Sequence, residues 1–423
     1  MSTLPTTAPQ VVAVPPSFPV VLPPGEERLY WERDRTHFPA QVTPLEADLV
    51  LGAVEHGMTH ALRHYEAPVH AMKLRVFHGW SYSAAVPVVA APEQMEELDD
   101  RCAARLQRAV ARLHQAWYDE LLPEILRHLD AMQAVDVRLA TAPALADHLE
   151  DCRSHLLRLW EIHFEVVLPA YLAVSEFEDL HNELFEGSGF DAYTLLGGAE
   201  TKTFAIGRDL WRLSRLALTA PEVLEVLESA AAAEAPLMLA RTEAGRAFLA
   251  ELDAHLDAYG HRSPWWGLAT PTFREDPAQI IKLLRDLLGR PDGADPGIAL
   301  RRQLADRDAA TAAARERLRG YPAMIVGHYE AMLAAARTGL LLTEDHGFYL
   351  DGWSLAAMRR VVVELGRRLA AAGAIAGTDD VQFLTADELA TAARHLPIAD
   401  LHDQVAARRA DHERDAGTVC VLR

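Results

Sequence analysis

Apolar residues recur at helical spacing along most of this chain, and that recurrence limits the possible folds more than any other feature. Leu106, Val110, Leu113, Trp117 and Leu121 form one stripe. Leu355, Met358, Val362, Leu365 and Leu369 form another, with Arg359, Arg360, Arg367 and Arg368 on the far side. Residues three and four apart share one face of an α-helix, so each stripe reads as the inner face of an amphipathic helix. Start signals agree: Thr43-Pro44-Leu45-Glu46 supplies an N-cap, a proline at the first helical position and a capping-box glutamate. Thr219 with Glu222 and Thr385 with Glu388 repeat the box. The spacing predicts helices near 92–132, 143–185, 200–216, 237–259, 277–289, 296–342 and 353–373. One stretch departs. Val76, Phe77, Trp80 and Tyr82 around His78-Gly79 suggest a hairpin. Strands do not alternate with helices, and no glycine-rich phosphate loop follows a strand. The expectation is an all-α protein, a large multi-helix body with a minor β-hairpin near residues 73–89.

Composition narrows the function classes. The formal charge is −20, from 41 Lys+Arg against 61 Asp+Glu. That argues against a nucleic-acid binder, which needs a basic face to neutralise phosphate. Cys102, Cys152 and Cys420 are far apart and odd in number. They make neither a disulfide framework nor a zinc ligand set, which suits a reducing cytoplasm. No basic-then-apolar leader opens the chain, and no run of about eighteen apolar residues occurs, so neither secretion nor a membrane span is expected. Residues 1–27 are proline-rich and read as an extended arm. Residues 28–395 read as one helical domain, and 396–423 as a C-terminal helix and tail.

Four stretches carry candidate chemistry. In YGHRSPWWGLATPTFREDP, Gly260 reads as a helix stop, and Asp276-Pro277 with Gln279 as a side-chain-capped helix start. The residues between lack helical pattern, and such loops inside a helical body tend to be functional. His261, Arg262 and Arg274 suit an anion such as phosphate or carboxylate. Trp265 and Trp266 line a flat ligand site or fill core. HGMTHALRH sets His56, His60 and His64 on one helix face, as a polar face or a polar-substrate contact. The third stretch, around Glu178-x-x-His181, is half of a di-iron pattern, but no second pair lies on a confident helix. TEDHGFYLDGW places Glu344, Asp345, His346 and Tyr349 at a helix junction, as a tuned general base or a capped helix start. No metal site is expected.

Several of these stretches together resemble one family. YWERDRTHFPAQVTPLEADLV resembles the "HFP…TPL" opening of the central region of phosphoenolpyruvate-utilising phosphotransferases, the rifampin phosphotransferase and phenylphosphate synthase relatives of phosphoenolpyruvate synthase. VFHGWSYS is similar to their "NGYxY" hairpin, and LLGGAETKTFAIGRDLWRLSRLA to "LLQG…NKT…LWELAR". YGHRSPWWGLATPTFREDP is similar to "YGHRxP…DLxxPRWxEDP", and the stretch ending DDVQFLTADEL to "DDVFFLTxDEL". The order is preserved across roughly residues 28–395. The resemblance implies a helical domain that binds the acceptor substrate. In the family an ATP-grasp domain makes a phosphohistidine carried by a swivelling domain. The swivelling motif "GGxxSHxAIxARE" does not occur in this sequence, so no residue is assigned as the phosphorylated histidine. The expectation is a substrate-binding subunit of a split phosphotransferase that binds no cofactor itself, with ATP and phosphohistidine reaching it through ATP-grasp and swivelling-histidine partner chains. Arg262 and Arg274 would stabilise the moving phosphoryl group, and His346 or His261, with Glu344, would serve the acceptor hydroxyl. Trp265, Trp266, His60, Trp80 and Tyr349 would contact substrate. The alternatives are a stand-alone lyase, dehydratase or cyclase acting on an apolar, natural-product-like substrate, and a non-catalytic small-molecule binder.

Overall fold

The computed structural model describes residues 20–185, 191–265 and 267–416. Trp266, Cys420 and most of the proline-rich arm lie outside the described residues. A small antiparallel sheet comes first: β1 (Glu32–Arg33), β2 (Val69–Phe77) and β3 (Trp80–Pro87), in the order β1–β3–β2. Phe77 pairs with Trp80 across a two-residue turn. In that turn His78 and Gly79 have φ of 51° and 77°, the twist-matched hairpin geometry. The expected hairpin is therefore present, somewhat longer on its first strand, and β1 adds a third strand too short to carry a sequence signal.

The rest is helical. A capped turn (Pro44–Glu46) and a π-turn (Ala47–Leu51) lead into α1 (Gly52–His64). Next come α2 (Pro92–Gln115), a second π-turn (Ala116–Leu121), α3 (Leu122–Gln133) and α4 (Ala142–Leu184). A side module follows: α5 (Lys202–Leu218), two short helices, α6 (Glu243–Tyr259) and α7 (Ala278–Leu288). Then α8 (Pro296–Arg317), α9 (Ala323–Gly347), a third π-turn (Phe348–Trp353), α10 (Ser354–Ala371), α11 (Ala386–Arg394) and α12 (His402–Asp415) complete the body.

α4 is the axis. Leu156, Leu159, Ile162, Val166, Ala170, Ala173 and Phe177 are fully buried along one face, and buried Trp160, Phe164 and Val167 widen that face around the helix. Its neighbours come close because two facing positions lack a side chain. A Cβ on Gly57 of α1 would lie 2.2 Å from the Trp160 carbonyl oxygen, and one on Gly339 of α9 would lie 2.5 Å from that of Ala170. The main core joins α1, α3, α4, α10 and α11, while α5, α6 and α7 share a separate core.

Two local expectations are corrected. The run predicted at 296–342 breaks between Arg317 and Ala323, where Pro322 lacks an N–H and holds Tyr321 extended (ψ 152°). The box expected at Thr219 and Glu222 does not form. The helix Pro221–Ser229 is entered through Ala220, and the Thr219 hydroxyl donates backwards to the Leu216 carbonyl at 2.7 Å. The boxes at Thr43 and Thr385 do form. Among the described residues no helix is long and apolar enough to cross a membrane.

Candidate functional site

The segment 260–277 is a closed loop. Its two ends pair through Phe273 N–H to the Arg262 carbonyl and Arg274 N–H to the Gly260 carbonyl, both 2.8 Å. The expected stop and start signals are realised differently. Gly260 ends α6 in right-handed geometry, with φ −71°. Asp276 does not cap α7: Pro277 precedes the helix, and the Asp276 carboxylate accepts from the Gln279 side chain at 3.0 Å. The middle of the loop is pinned at Leu268. Glu46 accepts both the Leu268 and Ala269 N–H groups at 3.0 Å through one carboxylate oxygen. The Leu268 carbonyl accepts from the Arg359 guanidinium and, at 3.2 Å, from the Gln382 amide. Arg359 is buried and also pairs with Glu275 at 2.8 Å. Thr43 donates to Gln382 at 3.2 Å, which closes the knot. Three distant sequence motifs thus meet here, and their polar groups satisfy one another.

A second convergence surrounds the third π-turn. His163 of α4 is buried, lies flat against Trp160 (ring centroids 4.6 Å, 24°) and meets His346 of α9 edge-on at 4.7 Å. The His163 Nδ1 atom is 2.9 Å from Asp351 Oδ1, an ion-pair distance, but off the line of a hydrogen bond. His346 Nδ1 lies 2.6 Å from the Leu342 carbonyl, which can only accept, so this nitrogen carries the proton and Nε2 keeps its lone pair. On the other side of the turn, His261 stacks on Trp353 (4.8 Å, 17°) and meets Phe348 edge-on at 4.6 Å. Its Nε2 is buried without a hydrogen-bond partner.

Burial sets the charge states. It presses the His261 imidazole down to about 4, helped by the neighbouring Arg262 guanidinium. Burial also lowers His346, with His163 beside it working in the same direction. Burial opposes the charge of Asp351, but His163, then His346 and His37, outweigh it and hold the carboxyl below its ordinary range. The imidazoles of His261 and His346 are therefore neutral at physiological pH, and His346 lies beside the ionised Asp351 carboxylate.

An aromatic cleft of about 360 Å³ opens beside this cluster, lined by Trp117, Tyr118, Lys202, Asp345 and Tyr349 among others. Two π-turns face each other across it, since Trp117 belongs to one and Tyr349 to the other, with rings 6.2 Å apart. Lys202 brings its ammonium 5.7 Å from the Phe348 and Tyr349 rings, and its backbone N–H donates to Asp345 at 2.7 Å. Burial raises the Asp345 carboxyl, with the Lys202 N–H and charge moderating the rise. Asp345 and Tyr349 face the cleft, while their chain neighbours His346 and Phe348 face the histidines.

The expected site residues therefore separate. His261, His346 and Tyr349 come together around the third π-turn. Arg262 reaches the Thr203 hydroxyl at the start of α5, at 3.3 Å. Glu344 is exposed, and Asp345 takes the place next to it in the cleft. Arg274 is exposed and pairs with Asp257. Trp265 lines a small pocket with Phe38. His60 pairs with Glu165 at 3.0 Å on a separate groove, and Trp80 lies under the Arg33 guanidinium, 3.8 Å from its ring centroid. Trp266 lies outside the described residues. His181 of the half di-iron pattern is buried against the Tyr329 hydroxyl at 2.9 Å. Sequence reasoning missed His163, Asp351, Lys202 and Trp117. His163 lies in the stretch Trp160 to Val167 between Glu161 and Glu165, with no motif spacing to set it apart from the other polar residues of α4.

Residues 163–344 match the family described as the rifampicin phosphotransferase fourth domain. The matched segment is less than half of the chain. The match begins at His163 and runs through Lys202 and the 260–277 loop to the edge of the cleft at Glu344. The resemblance read from the sequence is thereby borne out. Chondramide synthase cmdD of Chondromyces crocatus is 34% identical over 382 residues, which cover 90% of this chain and 10% of that protein. The uncharacterized phosphotransferase YvkC of Bacillus subtilis (strain 168) is 22% identical over 408 residues, 90% of this chain and 44% of that protein. The chain thus spans less than half the length of either relative.

Proposed function

We propose that this chain is the acceptor-binding component of a phosphotransferase assembly, and that the aromatic cleft holds a small, largely apolar molecule bearing a hydroxyl group. The observation that carries this reading is the cleft itself: aromatic walls from two facing π-turns, with an ammonium and a carboxylate at one edge, inside a domain of the rifampicin phosphotransferase type. Its volume of about 360 Å³ suits a small ligand or one part of a larger one. Lys202 would pair with the incoming phosphoryl group, and Asp345 would take the acceptor's proton. The acceptor oxygen then bonds to phosphorus as the nitrogen–phosphorus bond of a partner's phosphohistidine breaks, and ATP regenerates the donor on the partner chains. The protein's own part is positioning and charge, which is where most of the rate arises in such transfers.

The test is a reconstitution. The chain is mixed with an ATP-grasp protein, a swivelling-histidine protein of the same family and a panel of phenols and apolar alcohols, and phosphate esters are sought by phosphorus NMR. Esters that form only in the complete mixture, and are lost with Lys202→Met or Asp345→Asn, support the proposal. Substrate conversion by the chain alone without ATP overturns it.

That outcome would favour a second reading, supported by the 34% identity to a protein named chondramide synthase. In it the domain is a stand-alone lyase, dehydratase or cyclase on a natural-product-like substrate. Ligand binding without turnover in any mixture would point to a binding module.

A further inference from the structure

His163, His346 and Asp351 each offer one ligating atom, and those atoms lie within 4.8 Å of one another. The chain is built to bring them together. His346 and Asp351 are five residues apart, which on an α-helix turns their side chains about 140° away from each other. The π-turn Phe348–Trp353 widens the winding, so residues five apart come to lie over one another. Gly347 keeps the carboxylate's place clear, because a Cβ there would sit 3.2 Å from Asp351 Oδ2. Trp160 fixes the His163 ring from one face, and the Leu342 carbonyl fixes His346 through its Nδ1–H.

What these three residues lack is a shared partner. His163 is only 8% exposed, and its buried Nδ1 faces Asp351 Oδ1 at 2.9 Å, outside hydrogen-bond geometry. Two buried polar atoms this close but misaligned satisfy each other poorly, and an ion held between them and His346 would complete all three. An imidazole whose far nitrogen donates to a backbone carbonyl is oriented as metal-bound histidines are.

We propose that His163, His346 and Asp351 bind one divalent transition-metal ion of the zinc class, through two imidazole nitrogens and one carboxylate oxygen. Three protein ligands are the pattern of a site that keeps a coordination position for water or a substrate oxygen. The Asp351 side chain is 29% exposed, which leaves the ion a route in from solvent. Binding of the ion stands on this geometry alone. Its use, to make an acceptor hydroxyl more acidic, rests on the phosphotransfer reading above.

Cobalt(II) is the probe. The full chain, stripped with chelator, is titrated with Co²⁺ and followed by visible absorption, then challenged with Zn²⁺. One Co²⁺ per chain, with ligand-field bands that Zn²⁺ abolishes, is the expected result. His163→Ala and Asp351→Asn should weaken binding at least about tenfold, and the more conservative His163→Gln, with all variants checked for native circular dichroism, guards against simple misfolding. A double His56→Ala, His60→Ala variant should bind as the parent does. Absence of stoichiometric binding, or binding that survives in the folded His163 and Asp351 variants, overturns the proposal. Metal binding without any phosphoryl transfer in the reconstitution would leave the site standing and count against the phosphotransfer reading instead.

Discussion

The knot at Leu268 and the cluster at the third π-turn are both meeting places of distant motifs, yet they differ in what they leave over. At the knot, Glu46 accepts two N–H groups and caps its own helix, Arg359 serves Glu275 and a carbonyl, and Gln382 bridges Thr43 to Leu268. At the π-turn, His163, His261 and Asp351 each keep a buried polar atom without a hydrogen bond. A saturated network rigidifies, whereas an unsatisfied one is tolerated where a ligand or a reaction completes it. The comparison assigns structure to the first region and chemistry to the second.

Separating stability from turnover tests that assignment. The largest effect belongs to the knot. Arg359→Ala strips Glu275 and the Leu268 carbonyl of their shared donor. It should cost about 3–5 kcal/mol of stability, read from urea denaturation. A loss below about 1 kcal/mol would break the view of the knot as the loop's anchor. Next comes Asp345→Asn in the cleft, which should lower turnover in the reconstituted system by about 10²–10⁴-fold with little change in unfolding midpoint. If it instead unfolds the protein and spares turnover, the two regions have been assigned the wrong way round.

The third effect is a pH dependence. His261 titrates at about 4 in the folded chain instead of its ordinary 6.5. Between these values the unfolded chain binds a proton that the folded chain refuses, so stability falls as pH drops through this window and the loss is complete below about 4. At about 1.4 kcal/mol per unit, this single group contributes no more than about 3.5 kcal/mol. Urea midpoints at about pH 7 and about pH 4.5 should show the slope in the parent, and His261→Gln should flatten it. An unchanged slope would mean that His261 is more hydrated than its stack on Trp353 implies. The smallest effect is Arg274→Ala. An exposed pair with Asp257 is worth less than about 1 kcal/mol, so both stability and acceptor KM should hardly move. A large rise in KM would restore Arg274 to the phosphate-binding role its sequence context suggested.

Much of the fold was legible in residue order. The stripe from Leu106 to Leu121 became the inner face of α2 and its π-turn, the boxes at Thr43 and Thr385 capped their helices, and His78-Gly79 turned the hairpin. The break at Pro322 carried its signal in the proline, and the longer helix reading passed over it. The site was legible only in part. His261, His346 and Tyr349 could be picked out because polar and aromatic residues interrupt helical pattern there. His163 could not, since it is one of several histidines in a helix that also carries many charged residues, and no spacing marks it out. Between Glu344 and Asp345 the sequence offered no basis for choosing, because their directions depend on where α9 lies against α5.

Residue order by itself determined the helical class, the hairpin, the principal caps and the resemblance to the rifampicin phosphotransferase fourth domain. These depend on spacing, turn chemistry and motif order, which are properties of neighbours along the chain. Only the tertiary structure decided that Glu46 secures a loop more than two hundred residues away, or that a π-turn swings Asp351 onto the face of His346 and towards His163. Both depend on backbone winding and on which atoms remain unpaired after packing, and neither is a function of local sequence.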